Sequence, residues 1–549
     1  MTDSGSPAFG FFAQADAYST AGKIMGRQAA GEGFLRGMGR TWRDGRFEVA
    51  TMDAFKRQPL VDALASAGFQ GQIRWSSAPD FVGARAVGAM YFPAPLNTDL
   101  ARYRNRLSPA AFSLFGVTHT LSTDRALDAI STLAMSPFKP WDALICTSKA
   151  AYRLVDTLLT EVREEWRVTA GVQRFDKIQL PVIPLGVNCD QFAPSETLRA
   201  QARAALGLAD DEVAVLFAGR LSFHAKANPA ALYSALQAVA GDAKLVSIEA
   251  GVFPNDHVRA SFAAAQAALA PDVRFITIDG EDRDAYAAAW RAADIFTSLS
   301  DNIQETFGLT PVEAMAAGLP VLATDWNGYR DNVRHGQDGL LIPTLMAPPG
   351  AGEDLGLAVT LGTMSYDRLI GGVSLAVTVD ARALEAGLRA MATDPALRAR
   401  MGASGRQHAL RAFDWPMVLR RYDELAGELA MIRRTGVSQP AQPWIQRSDP
   451  FARFDGFATR NMGEQDLVSL RPDAQARFAV LVRLGIANYA FHDVTLPRDL
   501  IAKLLQTLAH GKEPLTVKAL LAKVGGMIPA HLRALSWLAK FDLVEISPQ

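Results

Sequence analysis

One stretch of the chain, from Ala293 to Gly328, constrains the fold more than any other. It reads as an apolar strand, a polar turn, a helix and a second apolar strand. The helix opens near Gly308 or at Thr310 and Pro311. It stops at Gly318, and Pro320 prevents its continuation, because glycine ends helices and proline cannot continue them. A loop that joins the carboxyl end of a strand to a helix N-terminus is where open α/β sheets bind nucleotides. The sequence therefore predicts a nucleotide site in the loop before this helix.

Two acidic residues flank the start of this helix. Glu305 precedes it, and Glu313 follows after seven intervening residues. The free N–H groups at a helix N-terminus, here near Phe307, Gly308 and Leu309, suit a phosphate or a sugar hydroxyl. Two plainer roles stay open, because Thr310 and Glu313 also fit the two ends of a capping box and Glu305 also fits a solvated loop acid.

The full string of residues 305–321, ETFGLTPVEAMAAGLPV, resembles the E-x7-E signature of the family 4 retaining glycosyltransferases. That family has the GT-B fold, in which two Rossmann-like doubly wound α/β domains face a cleft. The resemblance implies that Glu305 lies beside the donor sugar and that Glu313 holds the ribose hydroxyls of the nucleotide. It implies transfer of a sugar from a nucleotide-diphosphate sugar to an acceptor hydroxyl, with formation of an α-glycosidic bond.

A second motif follows the apolar run Val213–Ala218, which predicts a strand buried on both faces. Gly219 and Arg220 come directly after this run, and Lys226 follows soon after. In the family that the chain resembles, such an arginine and lysine clamp the donor diphosphate. Fixed cations that strengthen their contact with a departing diphosphate lower the barrier to its departure. A pair of surface cations is the alternative interpretation.

The N-terminal half of the chain predicts a second domain of the same kind. A first strand is expected at Phe9–Ala15, then a loop at Ser19–Gly22 and a glycine-rich helix at Arg27–Met38. Glycine at a strand-to-helix turn lets a backbone approach a ligand closely. In the family, this loop lies under the donor phosphate and faces the acceptor, and here the match is one of position only.

A histidine follows a later strand of this half. Strands are predicted at Ala89–Phe92 and Leu114–Val117, and His119 comes just after the second. Family members often carry a histidine after a strand in this region, near the reacting sugar. The resemblance therefore makes His119 a candidate for the acceptor side of the site, where an imidazole can bind a sugar hydroxyl or align the acceptor. A capped histidine at a strand end is the alternative.

Three domains are expected. Residues 1–195 form an N-terminal Rossmann-like acceptor domain, and residues 196–432 form a C-terminal Rossmann-like nucleotide-sugar donor domain. Residues 345–373 depart from the family pattern and are predicted to be an inserted loop that acts as a lid or an interface element. The last helix of the donor domain, within Ala409–Glu428, is expected to cross back and brace the N-terminal half.

Residues 445–549 are predicted to form a small, mainly helical accessory domain outside the resemblance. A helix-turn-helix is conceivable in its last third, but the second helix offers only His531, Arg533 and Lys540 as basic groups. DNA binding normally requires a denser basic face, so a protein-contact or dimerisation domain is the better interpretation. The predicted helices and the final strand are Asp473–Leu484, Arg498–Ala509, Val517–Lys523, Ala530–Phe541 and Leu543–Ile546.

The composition of the chain bears on the compartment and the partners of the protein. The formal net charge of −1 gives no electrostatic reason to expect a nucleic-acid partner. Two cysteines that stand far apart favour a reducing compartment over a disulfide scaffold. The N-terminus lacks the basic segment of a secretory signal, and no apolar run approaches the roughly 20 residues that cross a bilayer. We expect a cytoplasmic protein, with peripheral contact to the inner face of the membrane and homo-oligomerisation left open.

No cofactor or metal is expected beyond the donor substrate. Arg220, Lys226 and the helix N-terminus can supply the positive charge that the diphosphate needs. Asp282, Arg283 and Asp284 mimic a D-x-D metal motif, but they stand at a helix start, where acidic residues favour a cap.

Two rival functions stay open on the sequence. One is a GT-B-fold sugar phosphorylase or nucleotide-sugar hydrolase. The other is a catalytically idle scaffold that acts through its C-terminal domain. Glu305 and Glu313 do not fit a glycosidase pair, because those carboxylates flank the bond from two sides. The acceptor is expected to be a saccharide, a lipid-linked molecule or a small molecule.

Overall fold

The computed structural model describes residues 5–14, 18, 26–51, 57–77, 81–135, 137–436, 440–488, 498–511 and 513–549. The chain divides into two compact units, Met1–Trp444 and Ile445–Gln549. The predicted loop at Ser19–Gly22 lies outside the described residues. None of the helices in the described ranges is both long and apolar enough to cross a membrane.

The first half of the larger unit alternates strands and helices. Its elements are β1 Gly10–Phe12, α1 Gly26–Thr41, β2 Arg46–Thr51, α2 Arg57–Ser66, β3 Gln72–Ser77, α3 Val82–Val87, β4 Ala89–Phe92, α4 Thr98–Leu107, β5 Ser113–Val117, α5 Asp124–Ser131, β6 Ala143–Ile145 and α6 Lys149–Ala170. Among the described residues the strands form one parallel six-stranded sheet in the order β3-β2-β1-β4-β5-β6. This is the strand order of a Rossmann-like doubly wound domain.

The second half repeats the same architecture. Its elements are α7 Glu196–Ala205, β7 Val213–Ala218, α8 Ala230–Val239, β8 Leu245–Gly251, α9 Asp256–Leu269, β9 Arg274–Asp279, α10 Arg283–Ala292, β10 Ile295–Ser298, α11 Leu309–Ala316, β11 Val321–Thr324, α12 Tyr329–Asn332, β12 Gly339–Ile342, β13 Thr344–Met346, α13 Glu353–Thr360, α14 Tyr366–Ser374, β14 Val377–Val379, α15 Ala381–Thr393, α16 Pro395–Ala412 and α17 Trp415–Thr435.

Six of these strands form a second parallel sheet, in the order β12-β11-β10-β7-β8-β9 within the described residues. Counted from β7, this is again the Rossmann order, and the predicted pair of doubly wound α/β domains is confirmed. The strand order reverses between β7 and β10. Ligands of open α/β sheets bind at such a reversal, beyond the carboxyl ends of the strands.

The last helix of this unit, α17, braces the first half as predicted. The Trp415 side chain lies so close to Gly33 and Gly37 of α1 that a Cβ at either glycine would overlap it. Further along α17, the Tyr422 ring packs against the rings of Phe9 and other aromatic residues of the first sheet. These contacts join the end of the second half to the core of the first.

The prediction of an inserted loop at residues 345–373 is wrong, because this region forms strands and helices. β13 and β14 pair in antiparallel register, and α13 and α14 form between them. The two helices are short and contain glycine, so their local pattern resembled a loop. We call residues 344–379 the insertion.

The smaller unit has its own hydrophobic core. Its elements are α18 Pro450–Arg453, β15 Leu467–Leu470, α19 Ala474–Leu481, α20 Gly485–Asn488, α21 Arg498–Ala509, β16 Leu515–Thr516, α22 Val517–Val524, α23 Pro529–Lys540 and β17 Val544–Ser547. The predicted helices and final strand are present. β15 and β16 were not predicted, and they pair with β17 in an antiparallel sheet in the order β16-β15-β17. His531, one of the three basic groups on α23, is buried and its Nδ1 lies 2.6 Å from the Gly526 carbonyl oxygen.

Candidate active site

Two loops meet at the reversal of strand order in the second sheet, because the strands that precede them, β7 and β10, are neighbours. One loop runs from Gly219 to Lys226 and the other from Leu299 to Gly308. Gly219 has a φ of +139°, a conformation natural to glycine. A Cβ at Gly251 would overlap the Gly219 carbonyl oxygen, so glycine at position 251 lets the ends of β7 and β8 approach each other. Both predicted motifs therefore lie at one edge of the sheet.

The Lys226 ammonium group forms an ion pair with the Glu305 carboxylate. The two side chains are only 16% and 14% exposed. Burial disfavours charge on both, but the attraction between them outweighs it: the pKa of Lys226 lies above its ordinary value and the pKa of Glu305 lies below. Both groups are therefore charged at neutral pH, and Glu305 is not a solvated loop acid.

Glu305 is fixed by further hydrogen bonds. The Tyr329 hydroxyl donates to its carboxylate over 3.4 Å and lies 2.7 Å from the Ser298 hydroxyl. The backbone N–H of Phe307 also donates to the carboxylate. Asn327 donates from Nδ2 to the Glu305 carbonyl oxygen over 2.5 Å. One of the N–H groups that the sequence offered to a ligand thus serves to hold Glu305.

Arg220 is oriented by residues that the sequence analysis did not single out. Its guanidinium donates to the Ala225 carbonyl oxygen over 3.2 Å and to Oε1 of Gln304. Gln304 is held in turn, because its backbone N–H donates to Oδ1 of Asn302 over 2.8 Å and its Nε2 donates to the Tyr366 hydroxyl over 2.9 Å. The polar residues just before Glu305 were a local signal for this arrangement, whereas Tyr366 lies in the insertion and gave none.

Glu313 lies in α11, the helix that begins directly after Gly308. Gly308 has a φ of +89°, and a Cβ at this position would overlap the Tyr329 ring, so glycine is required there. Because the N-cap residue is Gly308 and Thr310 already lies inside α11, the capping-box interpretation of Thr310 and Glu313 is wrong. Burial raises the pKa of Glu313 to about 7, although the Lys226 charge opposes the shift. Burial, together with the Glu313 charge, raises the pKa of Tyr286.

His119 follows β5 in the first half, as predicted. Its Nε2 lies 3.1 Å from the carbonyl oxygen of Pro93, the residue after β4, and its side chain is half-buried. Three residues on, the Ser122 hydroxyl lies 2.7 Å from the hydroxyl of Tyr366. The loop that carries His119 therefore reaches the insertion, which contacts the Arg220 loop through Gln304.

The two halves also meet beside the Glu305 loop. The Ser148 hydroxyl donates to Oδ1 of Asn327 over 3.3 Å, and the Lys149 N–H donates to Asp331 over 2.6 Å. Since Asn327 also binds the Glu305 backbone, this second contact links the start of α6 to the Glu305 loop.

The D-x-D sequence caps a helix. Oδ1 of Asp282 accepts from the N–H groups of Asp284 and Ala285 over 3.1 and 3.0 Å, at the start of α10. In the described parts of the chain, no group of three or more histidine, cysteine or acidic residues is placed to hold a metal ion.

Comparisons with known proteins bear on the second half above all. Residues 212–351, which include both loops of the site, match the family described as Glycosyl transferases group 1. The D-inositol 3-phosphate glycosyltransferase of Geodermatophilus obscurus is 32% identical over 195 residues, which are 34% of this chain and 42% of that one. The enzyme of the same name from Streptomyces avermitilis is 31% identical over 270 residues, 47% of this chain and 49% of the relative. The chain thus spans about half or less of the length of these curated relatives.

A solved structure is similar over a longer region at lower identity. The crystal structure of HepE from Anabaena in complex with UDP is 18% identical and aligns with a TM-score of 0.48. The alignment covers 76% of this chain and 99% of HepE.

Proposed function

We propose that the protein is a retaining glycosyltransferase of family 4, which moves a sugar from a nucleotide-diphosphate sugar to an acceptor hydroxyl and forms an α-glycosidic bond. The observation that carries this proposal is the convergence of Arg220, Lys226, Glu305 and Glu313 on the reversal of strand order in a Rossmann-like domain. The match of residues 212–351 to the group 1 glycosyl transferases supports it.

Each residue has a definite task in this proposal. Glu313 binds the ribose hydroxyls, since a half-buried carboxylate is a strong hydrogen-bond acceptor. Glu305 lies beside the donor sugar. Arg220 and Lys226 bind the diphosphate, with the backbone of Gly219, Gly308 and Leu309 as further contacts.

The reaction breaks the bond between the anomeric carbon and the diphosphate oxygen, and the bonding electron pair leaves with the diphosphate. The acceptor oxygen attacks the anomeric carbon on the same face, and its proton passes to the departing phosphate oxygen. Arg220 and Lys226 meet negative charge that grows as the bond breaks, so they stabilise the transition state more than the ground state. These two cations and the N-terminus of α11 supply the charge without a metal or a further cofactor.

The acceptor binds between the halves in this proposal, with His119 on its side of the site. The position of His119 after β5, in a loop that reaches the insertion, supports this placement. A saccharide, a lipid-linked molecule or a small metabolite would present the reacting hydroxyl there.

The first test is thermal unfolding with UDP-glucose, GDP-mannose and ADP-glucose. A ligand that binds the folded state alone, at 100 times its Kd, stabilises it by about 2.7 kcal/mol. We expect one donor to raise the Tm of the wild type and not that of Arg220→Ala. Arg389→Ala is the matched control, because Arg389 makes exposed ion pairs on α15 away from the site.

The stereochemistry and the rivals are tested with the donor so found. Proton NMR of the product should show an α anomer formed from an α-linked donor. Sugar 1-phosphate formed only with added phosphate would identify a phosphorylase, and free sugar in the presence of every acceptor would identify a hydrolase. If none of the three donors stabilised the wild type, the donor site itself would be contradicted and the scaffold would become the better explanation.

A further inference from the structure

Helix α14 of the insertion packs on both loops of the site. Gly371 lies against His224 of the Arg220 loop, since a Cβ at Gly371 would be 3.2 Å from the His224 Cβ. On the other loop, Asn302 donates to the Ile370 carbonyl oxygen over 3.4 Å, and Ser374 hydrogen-bonds the buried Asp301 carboxylate. The insertion is therefore built into the donor site.

The first residue of α14, Tyr366, also reaches the other half of the protein. Its hydroxyl accepts from Nε2 of Gln304 at 2.9 Å and lies 2.7 Å from the Ser122 hydroxyl. A hydroxyl has one hydrogen to donate and accepts others. With the Gln304 hydrogen bond accepted, the Tyr366 hydroxyl can donate its own hydrogen to Ser122. One oxygen atom thus joins the loop after β5 to the loop after β10.

This contact decides which way the Gln304 amide faces. Because the amide directs its NH2 group at Tyr366, its oxygen is turned towards Arg220, which donates to it. Without an acceptor at Tyr366, the side-chain amide keeps the hydrogen bond from the guanidinium but loses the one that anchors its NH2 group. The Tyr366 hydroxyl therefore helps to hold Arg220 in place by fixing its partner Gln304.

We propose that Tyr366 is a positioning residue that couples the seating of the two halves, through Ser122, to the orientation of Arg220, through Gln304. This inference rests on the proposed function, in which Arg220 binds the donor diphosphate. When the halves are seated, Ser122 holds the Tyr366 hydroxyl, and Arg220 is directed into the site. When they separate, the link to Ser122 is lost and Gln304 is held less firmly.

The test is a double-mutant cycle on nucleotide affinity. The Kd values for UDP, GDP and ADP are measured by calorimetry for the wild type, Arg220→Ala, Tyr366→Phe and the double variant. The loss of a charge-assisted contact should weaken binding of the preferred nucleotide roughly 20-fold in Arg220→Ala. In the Tyr366→Phe background we expect Arg220→Ala to weaken binding only about 4-fold, because Arg220 is already poorly placed.

Two further variants separate positioning from general structure. Ser122→Ala should reduce the Arg220→Ala effect in the same direction as Tyr366→Phe. Thr378→Val should leave the full effect, because its hydroxyl donates to the Leu345 carbonyl oxygen, which also lies in the insertion. If Tyr366→Phe lowered the Tm yet left the Arg220→Ala effect unchanged, the residue would be structural only and the inference would be overturned. If the wild type bound none of the three nucleotides, the proposed function would fail first, and this inference with it.

Discussion

Replacing Glu313 with glutamine should stabilise the empty protein and weaken nucleotide binding at the same time. Burial raises the pKa of Glu313 from its ordinary 4.5 to about 7. For an acid with a raised folded-state pKa, the folded protein holds the proton more tightly than the unfolded chain does. The free energy of unfolding therefore falls as the pH rises from 4.5 to 7, and the full penalty applies above pH 7.

The size of this penalty follows from the shift. Each pKa unit is worth about 1.4 kcal/mol, so the carboxylate lowers the free energy of unfolding by at most about 3.4 kcal/mol at pH 8. Since Glu313 is half-buried, we take this value as an upper bound. A neutral amide of the same shape avoids the penalty. Glu313→Gln should therefore match the wild type near pH 4.5 and exceed it in apparent Tm at pH 8.

Binding should change in the opposite direction. If the carboxylate accepts hydrogen bonds from ribose hydroxyls, the amide can replace only part of that contact. Charge-assisted hydrogen bonds contribute about 1.5–3 kcal/mol, so the Kd of the preferred nucleotide should rise by roughly 10- to 150-fold. Calorimetry at pH 8 measures this change, and scanning fluorimetry from pH 4.5 to 8.5 measures the stability.

Glu249→Gln is the matched control. Burial raises the pKa of Glu249 to about 7 as well, but its carboxylate bonds Tyr233 and Gln266 inside the domain. It should show the same pH-dependent gain in Tm and no change in nucleotide affinity. A Glu313→Gln protein less stable than the wild type at pH 8 would refute the burial argument, and unchanged nucleotide affinity would refute the role at the ribose.

Three further predictions concern the same unit. Glu305→Gln leaves Lys226 charged and buried without its partner, so urea unfolding should show a loss of roughly 3–5 kcal/mol, and a loss under 1 kcal/mol would mean that the pair is solvated. Gly308→Ala should lower the free energy of unfolding by roughly 3 kcal/mol or more, because the new Cβ overlaps an aromatic ring at a position with positive φ. Gly336 also has a positive φ but open space around it, so Gly336→Ala should lower the free energy of unfolding by only about 1 kcal/mol. Equal losses in the two variants would contradict the overlap. Ending the chain at Trp444 should preserve the donor-induced rise in Tm, since every residue of the site lies in the larger unit, and loss of that rise would show that the smaller unit is needed for binding.

Most of the second half of the larger unit could be predicted because its signals are local. Val213–Ala218 is a strand with the bounds expected from its apolar run. The helix before β11 starts after Gly308 and is followed by Gly318 with a φ of +76°, where the sequence expected it to end. Alternation of such strands and helices leads to a doubly wound sheet, and neighbouring motifs then meet where the strand order reverses.

The contacts that orient Arg220 could not be predicted in this way. Gln304 and Tyr366 are 62 residues apart, and Ser122 and Tyr366 are 244 apart. Nothing in the local pattern around Tyr366 indicates a partner, and the glycines of α13 and α14 favoured a loop over the two helices that form. Strands β15 and β16 were missed for a similar reason: four- and two-residue strands pair only through distant chain segments.

The partners of the two cations differ, and this difference predicts their order of importance in binding. Lys226 is paired with a carboxylate, whereas the side-chain partner of Arg220 is the neutral amide of Gln304. An arriving diphosphate displaces an amide more readily than a carboxylate, and it must share Lys226 with Glu305. Arg220 also offers two N–H groups to adjacent phosphate oxygens, which an ammonium group cannot match. We therefore expect the Kd for the preferred nucleoside diphosphate to rise more in Arg220→Gln than in Lys226→Gln, measured at a temperature where both variants are folded. A larger rise for Lys226→Gln would show that the diphosphate takes Lys226 away from Glu305 and would reverse this assignment.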